Sequence, residues 1–295
     1  MILTRLGVPW LWGADVERGW VFMRFNVVPI TTGWLAPGSS CYGLERLPRT
    51  GGAVFAVNHL SAIDPPLVGS FSNRAIFYMA KAEILQIPVV GEALGWTGGF
   101  PVRRGESDRE GLRTARELVR EGHVVGMFVE GTRQRFGYPG AVHCGAGMIA
   151  MRERVPVIPV GIETFGWSRV NRRACCVVYG EAMRFDRLAC NGQGYKEAAE
   201  ILRLEILRLW RQAAEAVAAG FPLALPDGTS RSSWPRARQF HRQRTPRRVS
   251  GSSTDRTADD RAVQFPTSTT SGPAGRVPRW LRSHLRPSAA SGRAT

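Results

Sequence analysis

Short apolar runs rich in β-branched residues recur at residues 53–57, 75–79, 124–129, 155–162 and 175–179. Each is bounded by turn formers and is apolar at successive rather than alternate positions, so strands covered on both faces are expected. Between them the period changes. Ser107 followed by Glu110 has the spacing of a capping box, after which Leu112, Ala115, Leu118 and Val119 repeat at helical intervals until Gly122. A longer helix is expected over 195–219. Its polar stripe is Lys196, Glu200, Arg203, Arg211 and Glu215, and Gly220 and Pro222 end it. Strands alternating with helices predict an α/β sandwich.

Two segments depart from this alternation. Residues 1–35 crowd Trp10, Trp12, Trp20, Phe22, Phe25 and Trp34 around Arg5, Arg18 and Arg24. Aromatic rings among cations suit a segment lying in a bilayer interface, and equally a helical lid packed on the core. The membrane-associating reading is adopted for 1–35. Residues 224–295 hold 14 Arg, no Lys and 4 Asp, so they carry +10 of the formal +16 and leave +6 for the body. With Ser, Thr and Pro filling most of the rest, this stretch is expected to be a disordered, solvated tail. The globular body is accordingly 36–223.

Composition excludes several classes. Of 295 residues, 43% are hydrophobic and 22% charged, which supports a core of ordinary size and excludes collagen-like or wholly disordered chains. No stretch reaches about 18 consecutive apolar residues, and the opening residues lack a signal-peptide pattern, so a cytoplasmic setting is expected. Cys41, Cys144, Cys175, Cys176 and Cys190 are scattered and form neither a disulfide framework nor a C-x-x-C zinc pattern. No metal site is expected. The basic balance raises nucleic-acid binding, but most of the excess lies in the tail and no recognised binding module is present, so no nucleic-acid partner is expected.

The chemistry concentrates where predicted strands end. In Val57-Asn58-His59-Leu60-Ser61-Ala62-Ile63-Asp64-Pro65-Pro66, His59 emerges at the carboxyl edge of a strand, where α/β folds place ligands. A turn there lets Asp64 reach imidazole Nδ1, and Asp64 before Pro65 also reads as a helix N-cap. Such a pair is half of a catalytic triad. Ser61 is too near along the chain to serve easily as nucleophile and no G-x-S-x-G elbow exists, so the substrate is expected to bring the hydroxyl that His59 deprotonates. A second block, Gly99-Phe100-Pro101-Val102-Arg103-Arg104-Gly105, is a short strand exiting into arginines. A third, Phe128-Val129-Glu130-Gly131-Thr132-Arg133, delivers a permissive glycine, a hydroxyl and a forked cation suited to phosphate. Glu130 cannot favour a phosphate directly and is expected to hold an arginine or order the turn. In the fourth, Val155-Pro156-Val157-Ile158-Pro159-Val160, two prolines argue for an edge or irregular strand.

Asn58-His59-x-Ser61-x-x-Asp64, Phe100-x-Val102-Arg103, Glu130-Gly131-Thr132-Arg133 and the 155–160 block resemble, in order, the four motifs of the glycerolipid acyltransferases, and most of all the 1-acylglycerol-3-phosphate acyltransferases. The resemblance covers roughly residues 38–185, with Val129 standing where proline is common and Gln134 where serine is common. It implies a mixed sheet between helices. It also implies that His59 is the base and Asp64 its partner, while Arg103, Glu130, Gly131, Thr132 and Arg133 bind the acceptor. A fatty acyl chain would pass from acyl-CoA or acyl carrier protein to a lysophospholipid hydroxyl, without a cofactor, at the cytoplasmic membrane surface. Competing expectations are another lysophospholipid or hydroxylated lipid as acceptor, and a hydrolase with Cys144 as nucleophile beside His143.

Overall fold

The computed structural model describes residues 30–81, 83, 99–102 and 109–232. Among these, seven strands form one sheet: β1 Ser40–Tyr42, β2 Ala53–Val57, β3 Ile76–Lys81, β4 Gly99–Val102, β5 Val124–Phe128, β6 Val157–Glu163 and β7 Cys176–Tyr179. Their order is β1-β7-β6-β2-β5-β3-β4. β6, β2, β5, β3 and β4 run parallel, β1 pairs parallel with β7, and β6 and β7 pair antiparallel. The sheet is mixed, as the resemblance implied.

Continuous apolarity in the strands has the expected cause: both faces are covered. Val54 and Ala56 of β2 face one core with Val125, Met127 and Val157, closed by α2 (Arg109–Arg120), α3 (Gly145–Glu153) and α4 (Gly192–Ala218). Ala53, Phe55 and Val57 face the other core with Ile158, Val160 and Tyr179, closed by α1 (Asp64–Phe71). Every residue of β2 and β6 is buried, and each large apolar side chain so placed stabilises the fold by ~1.5–3 kcal/mol. α4 lies close against β6 because Gly161 leaves room: a Cβ there would stand 2.3 Å from backbone atoms of Leu209 and Trp210. Asn191 caps α4 by accepting from the N–H groups of Gln193 and Gly194.

Three expectations are corrected. The proline-bearing strand is interior, not an edge, because Pro159 lies beyond the last β7 pair, Val160↔Tyr179, where only Gly180 N–H meets its carbonyl. Its missing N–H faces β7, where regular pairing gives way to the isolated bridge Val157↔Met183, so the strand is irregular on that side, the other form the prolines suggested. The tail does not begin at 224. Leu225 and Thr229 are buried, Ser232 N–H donates to Cys41 O, and Arg46 donates to Thr229 Oγ1 at 2.7 Å, which fastens 224–232 beside β1. Finally, Ile63 rather than Asp64 occupies the cap position of α1. The expected capping residue Ser107, residues 1–29 and residues 233–295 lie outside the described residues. Of the 1–35 segment, Ile30–Leu35 forms one π-helical turn with Thr31 buried and Trp34 exposed. No helix among the described residues is long and apolar enough to cross a membrane.

Candidate active site

Because β6, β2 and β5 are parallel neighbours, the residues that follow them emerge on one edge of the sheet. Asn58, fully buried, continues the β2–β6 ladder with its side chain: Nδ2 donates to Ile162 O at 3.0 Å and Oδ1 accepts from Ile162 N at 2.8 Å. The chain therefore leaves β2 in a fixed direction, and His59 is presented at the edge.

The imidazole is gripped from two sides. Its Nδ1 lies 2.7 Å from Asp64 Oδ2, and its ring stacks on Phe128 with centroids 4.2 Å apart. Asp64 is fully buried, so its charge must be met internally. Oδ2 also accepts from Leu60 N at 2.7 Å and Ser61 N at 2.8 Å, while Oδ1 accepts from Ser61 Oγ at 3.0 Å and Thr164 Oγ1 at 2.5 Å. An ionised carboxylate only accepts, so Nδ1 carries the proton and Nε2 keeps its lone pair. That is the geometry of a base. The side chain of His59 is still 14% exposed.

The loop after β5 is tied to the same residue. Glu130 Oε2 accepts from His59 N at 2.7 Å, Oε1 accepts from Gly140 N at 2.6 Å, and Gln134 N donates to His59 O at 2.8 Å. Both backbone polar groups of His59 are thus held by the two ends of the 130–134 turn. Between those ends Gly131, at φ 67°, Thr132 and Arg133 are exposed. Burial pushes the Glu130 carboxyl up to about 7, against the opposing donors from Gly140 and His59. Glu130 is therefore a turn-ordering residue. Its placement corrects the expectation that it binds substrate, since both oxygens are taken by backbone amides and the residue is buried.

The structure brings His59, Asp64, Gly131, Thr132 and Arg133 together. Arg103 lies outside the described residues; β4, which precedes it, is the edge strand, three strands from β2 on the same carboxyl edge. Thr164 was not legible, because it stands 100 positions from Asp64 and no local pattern marks it. His143, weighed only beside Cys144, is exposed with its ring over Gly131, where a Cβ would lie 3.1 Å from Nε2. Cys144 sits half-buried at the start of α3. No cluster of three or more metal-ligating side chains exists among the described residues.

Residues 39–163 match the family described as Acyltransferase. That match covers less than half of the chain. It is 32% identical over 130 residues to a 1-acyl-sn-glycerol-3-phosphate acyltransferase of Bacillus subtilis, covering 44% of this chain and 64% of that protein. It is 36% identical over 127 residues to a chloroplastic 1-acyl-sn-glycerol-3-phosphate acyltransferase of Brassica napus, covering 42% of this chain and 37% of that protein. The matched part thus spans between about a third and two-thirds of these relatives' lengths. The crystal structure of a 1-acyl-sn-glycerophosphate acyltransferase from Thermotoga maritima shares the fold, with a TM-score of 0.53 and 22% identity over 70% of this chain and 86% of that one. Within the matched residues fall His59, Asp64 and the 130–134 turn, and the match ends at Glu163, one residue before Thr164.

Proposed function

We propose that this protein transfers a fatty acyl group from acyl-CoA or acyl carrier protein to the sn-2 hydroxyl of 1-acylglycerol-3-phosphate, giving phosphatidic acid for phospholipid synthesis at the cytoplasmic face of the membrane. The observation that carries the reading is that one peptide, His59, bears a carboxylate-oriented base while its backbone anchors both ends of an exposed Gly-Thr-Arg turn. Activation and anchoring of one acceptor then occur at neighbouring positions. His59 Nε2 takes the proton of the acceptor hydroxyl as its oxygen attacks the thioester carbonyl. The tetrahedral intermediate collapses with cleavage of the C–S bond, and the imidazolium returns the proton to the departing thiolate. Asp64 stabilises that imidazolium. General-base action of this kind contributes ~10²–10⁴-fold, and holding the phosphate on Gly131, Thr132 and Arg133, with Arg103, supplies orientation. The donor is a second substrate, and no cofactor enters.

A thiol-release assay with the purified full chain, one acyl-CoA and lyso-lipids with and without phosphate tests this. Turnover is expected with 1-acylglycerol-3-phosphate and to fall steeply without the phosphate. His59→Ala is expected to lower kcat by at least ~10²-fold; wild-type turnover there removes the base. Arg133→Ala is expected to raise the acceptor KM by about 10- to 100-fold, the worth of one charged hydrogen bond, with kcat less affected. Equal turnover of phosphate-free acceptors would transfer the reading to a different lysophospholipid or hydroxylated lipid.

A further inference from the structure

We infer that a second binding site lies on the opposite edge of the sheet from His59, in an arginine-walled cavity that takes a small molecule joining two or more phosphates to a flat apolar ring. The inference stands apart from the acyltransferase reading: it uses none of the residues that carry that reading, and it is tested by binding.

Chain direction fixes the place. His59 and Thr164 follow the carboxyl ends of the parallel strands β2 and β6. Arg154 instead precedes β6, and Met183, bridged to Val157, leads the chain on to Arg184 at the same amino end. At about 3.3 Å for each residue, β6 sets the two edges ~20 Å apart. On the amino side Arg116 of α2, the end of α3 and residues 184–190 enclose a cavity of about 670 Å³, the size of a small-molecule site.

Charge and geometry name the ligand. Arg116, Arg152, Arg154 and Arg184 line the cavity, and Asp186 is the only carboxylate among the described residues that do. Three of the guanidinium groups are held through Nε. Arg116 Nε donates to Glu153, whose side chain is 4% exposed; Arg152 Nε donates to Tyr195 Oη at 3.0 Å; Arg184 Nε donates to Asp186 at 2.9 Å. Arg184 Nη2 also donates to Arg154 O at 2.9 Å. Their other N–H groups, and the whole Arg154 guanidinium, have no protein partner among the described residues. Forked donors fixed at one end and free at the other suit phosphate oxygens. A helix dipole explains one cation in a last turn, not four drawn from three segments. Arg154 is the most telling of them. It ends α3 at φ 51° and ψ 41°, a left-handed position usually given to glycine, and no hydrogen bond or ion pair of its side chain with a described residue offsets that conformation. Met151, Phe185 and Leu188 supply an apolar wall, anchored in the main core, on which a ring can lie. Two sources share this chemistry: a free nucleoside polyphosphate acting as an effector, and the nucleotide end of coenzyme A.

Titration calorimetry of the full chain at physiological salt tests it, with ATP, coenzyme A and adenosine as probes. At least one of the two phosphorylated probes is expected to bind, and adenosine to bind far more weakly. Arg154→Gly/Arg184→Gln is expected to weaken that binding by about 100-fold, roughly tenfold for each charged hydrogen bond. Arg154→Gly alone suits the left-handed position, so its melting temperature is expected to stay at or above that of wild type while its affinity falls. Arg203→Gln/Arg208→Gln, on α4 outside the cavity, is expected to bind as wild type does, which separates the site from the general attraction of a +16 chain for polyanions. Unchanged affinity in Arg154→Gly/Arg184→Gln, an equal loss in both double variants, or no binding of either phosphorylated probe to wild type overturns the proposal. ATP binding more tightly, with the acyl-CoA KM unmoved in Arg154→Gly/Arg184→Gln, assigns the site to an effector. Coenzyme A binding more tightly, with that KM raised and the acceptor KM fixed, assigns it to the donor. A wild type that binds a phosphorylated probe but turns over no acceptor leaves the cavity standing and sinks the acyltransferase reading instead.

Discussion

Asp64 shows how much one side chain is asked to do. Three N–H donors, from His59, Leu60 and Ser61, converge on Oδ2, and two hydroxyls, from Ser61 and Thr164, serve Oδ1. Hydroxyls reverse their role freely, whereas N–H groups do not. Asp64→Asn is therefore expected to keep its amide oxygen toward His59, with the NH₂ donating to the two hydroxyls, so fold and tautomer survive. Only the charge that stabilises imidazolium is lost. Steady-state kinetics is expected to show kcat reduced by about 10²-fold with a melting temperature near that of wild type. A rate equal to wild type would leave Asp64 a structural tie. The pair itself was legible in the sequence, because five positions across a strand–turn–helix corner suffice to close it. Three of its supporting bonds, from Leu60 N–H and from the N–H and hydroxyl of Ser61, are equally local. Thr164 is not, since only strand pairing brings it near.

At the scale of elements, apolar runs placed β2, β3, β5, β6 and β7 to within one or two residues, while β1, three residues long, has no such run. β2 matches its expected limits, and β6 begins two residues late because Pro156 O still accepts from Val54 N before regular pairing starts. Pro159 misled because proline argues for an edge only when its missing N–H faces a ladder, and which side it faces is decided by the partner strand. Gly161 carries the reverse lesson. Nothing local marks it, yet a methyl there meets the backbone of α4 at 2.3 Å. Gly161→Ala is expected to push α4 from β6 and to lower the unfolding free energy by about 1–3 kcal/mol or more, read by urea denaturation. An unchanged midpoint would show that the helix shifts without cost.

For the whole molecule, two buried carboxyls set a pH dependence. Burial pushes Glu163 up to about 7, although Trp210 Nε1 and Phe165 N donate to it, and Glu130 is raised to the same value. Their folded values lie above the ordinary 4.5, so the folded protein holds these protons more tightly than the unfolded chain. The stability they contribute is full below about pH 4.5 and is lost as pH rises through about 7. Glu163→Gln, which cannot ionise, is expected to flatten the fall of melting temperature over that interval, measured by circular dichroism at successive pH values. An identical slope in wild type and variant would show that Glu163 is already paired well enough to ionise freely.

The order of most elements, the His59–Asp64 pair and the Gly-Thr-Arg turn were determined by the sequence alone, because each depends on contacts between residues a few positions apart. The mixed sheet was expected only through family resemblance. What the tertiary structure decided is which distant segments meet: Thr164 at Asp64, Glu130 and Gln134 at the His59 backbone, residues 224–232 at β1, and the arginines of three segments around one cavity. Those meetings follow from strand order and register, and they involve residues whose own neighbourhoods in the chain carry no trace of their partners.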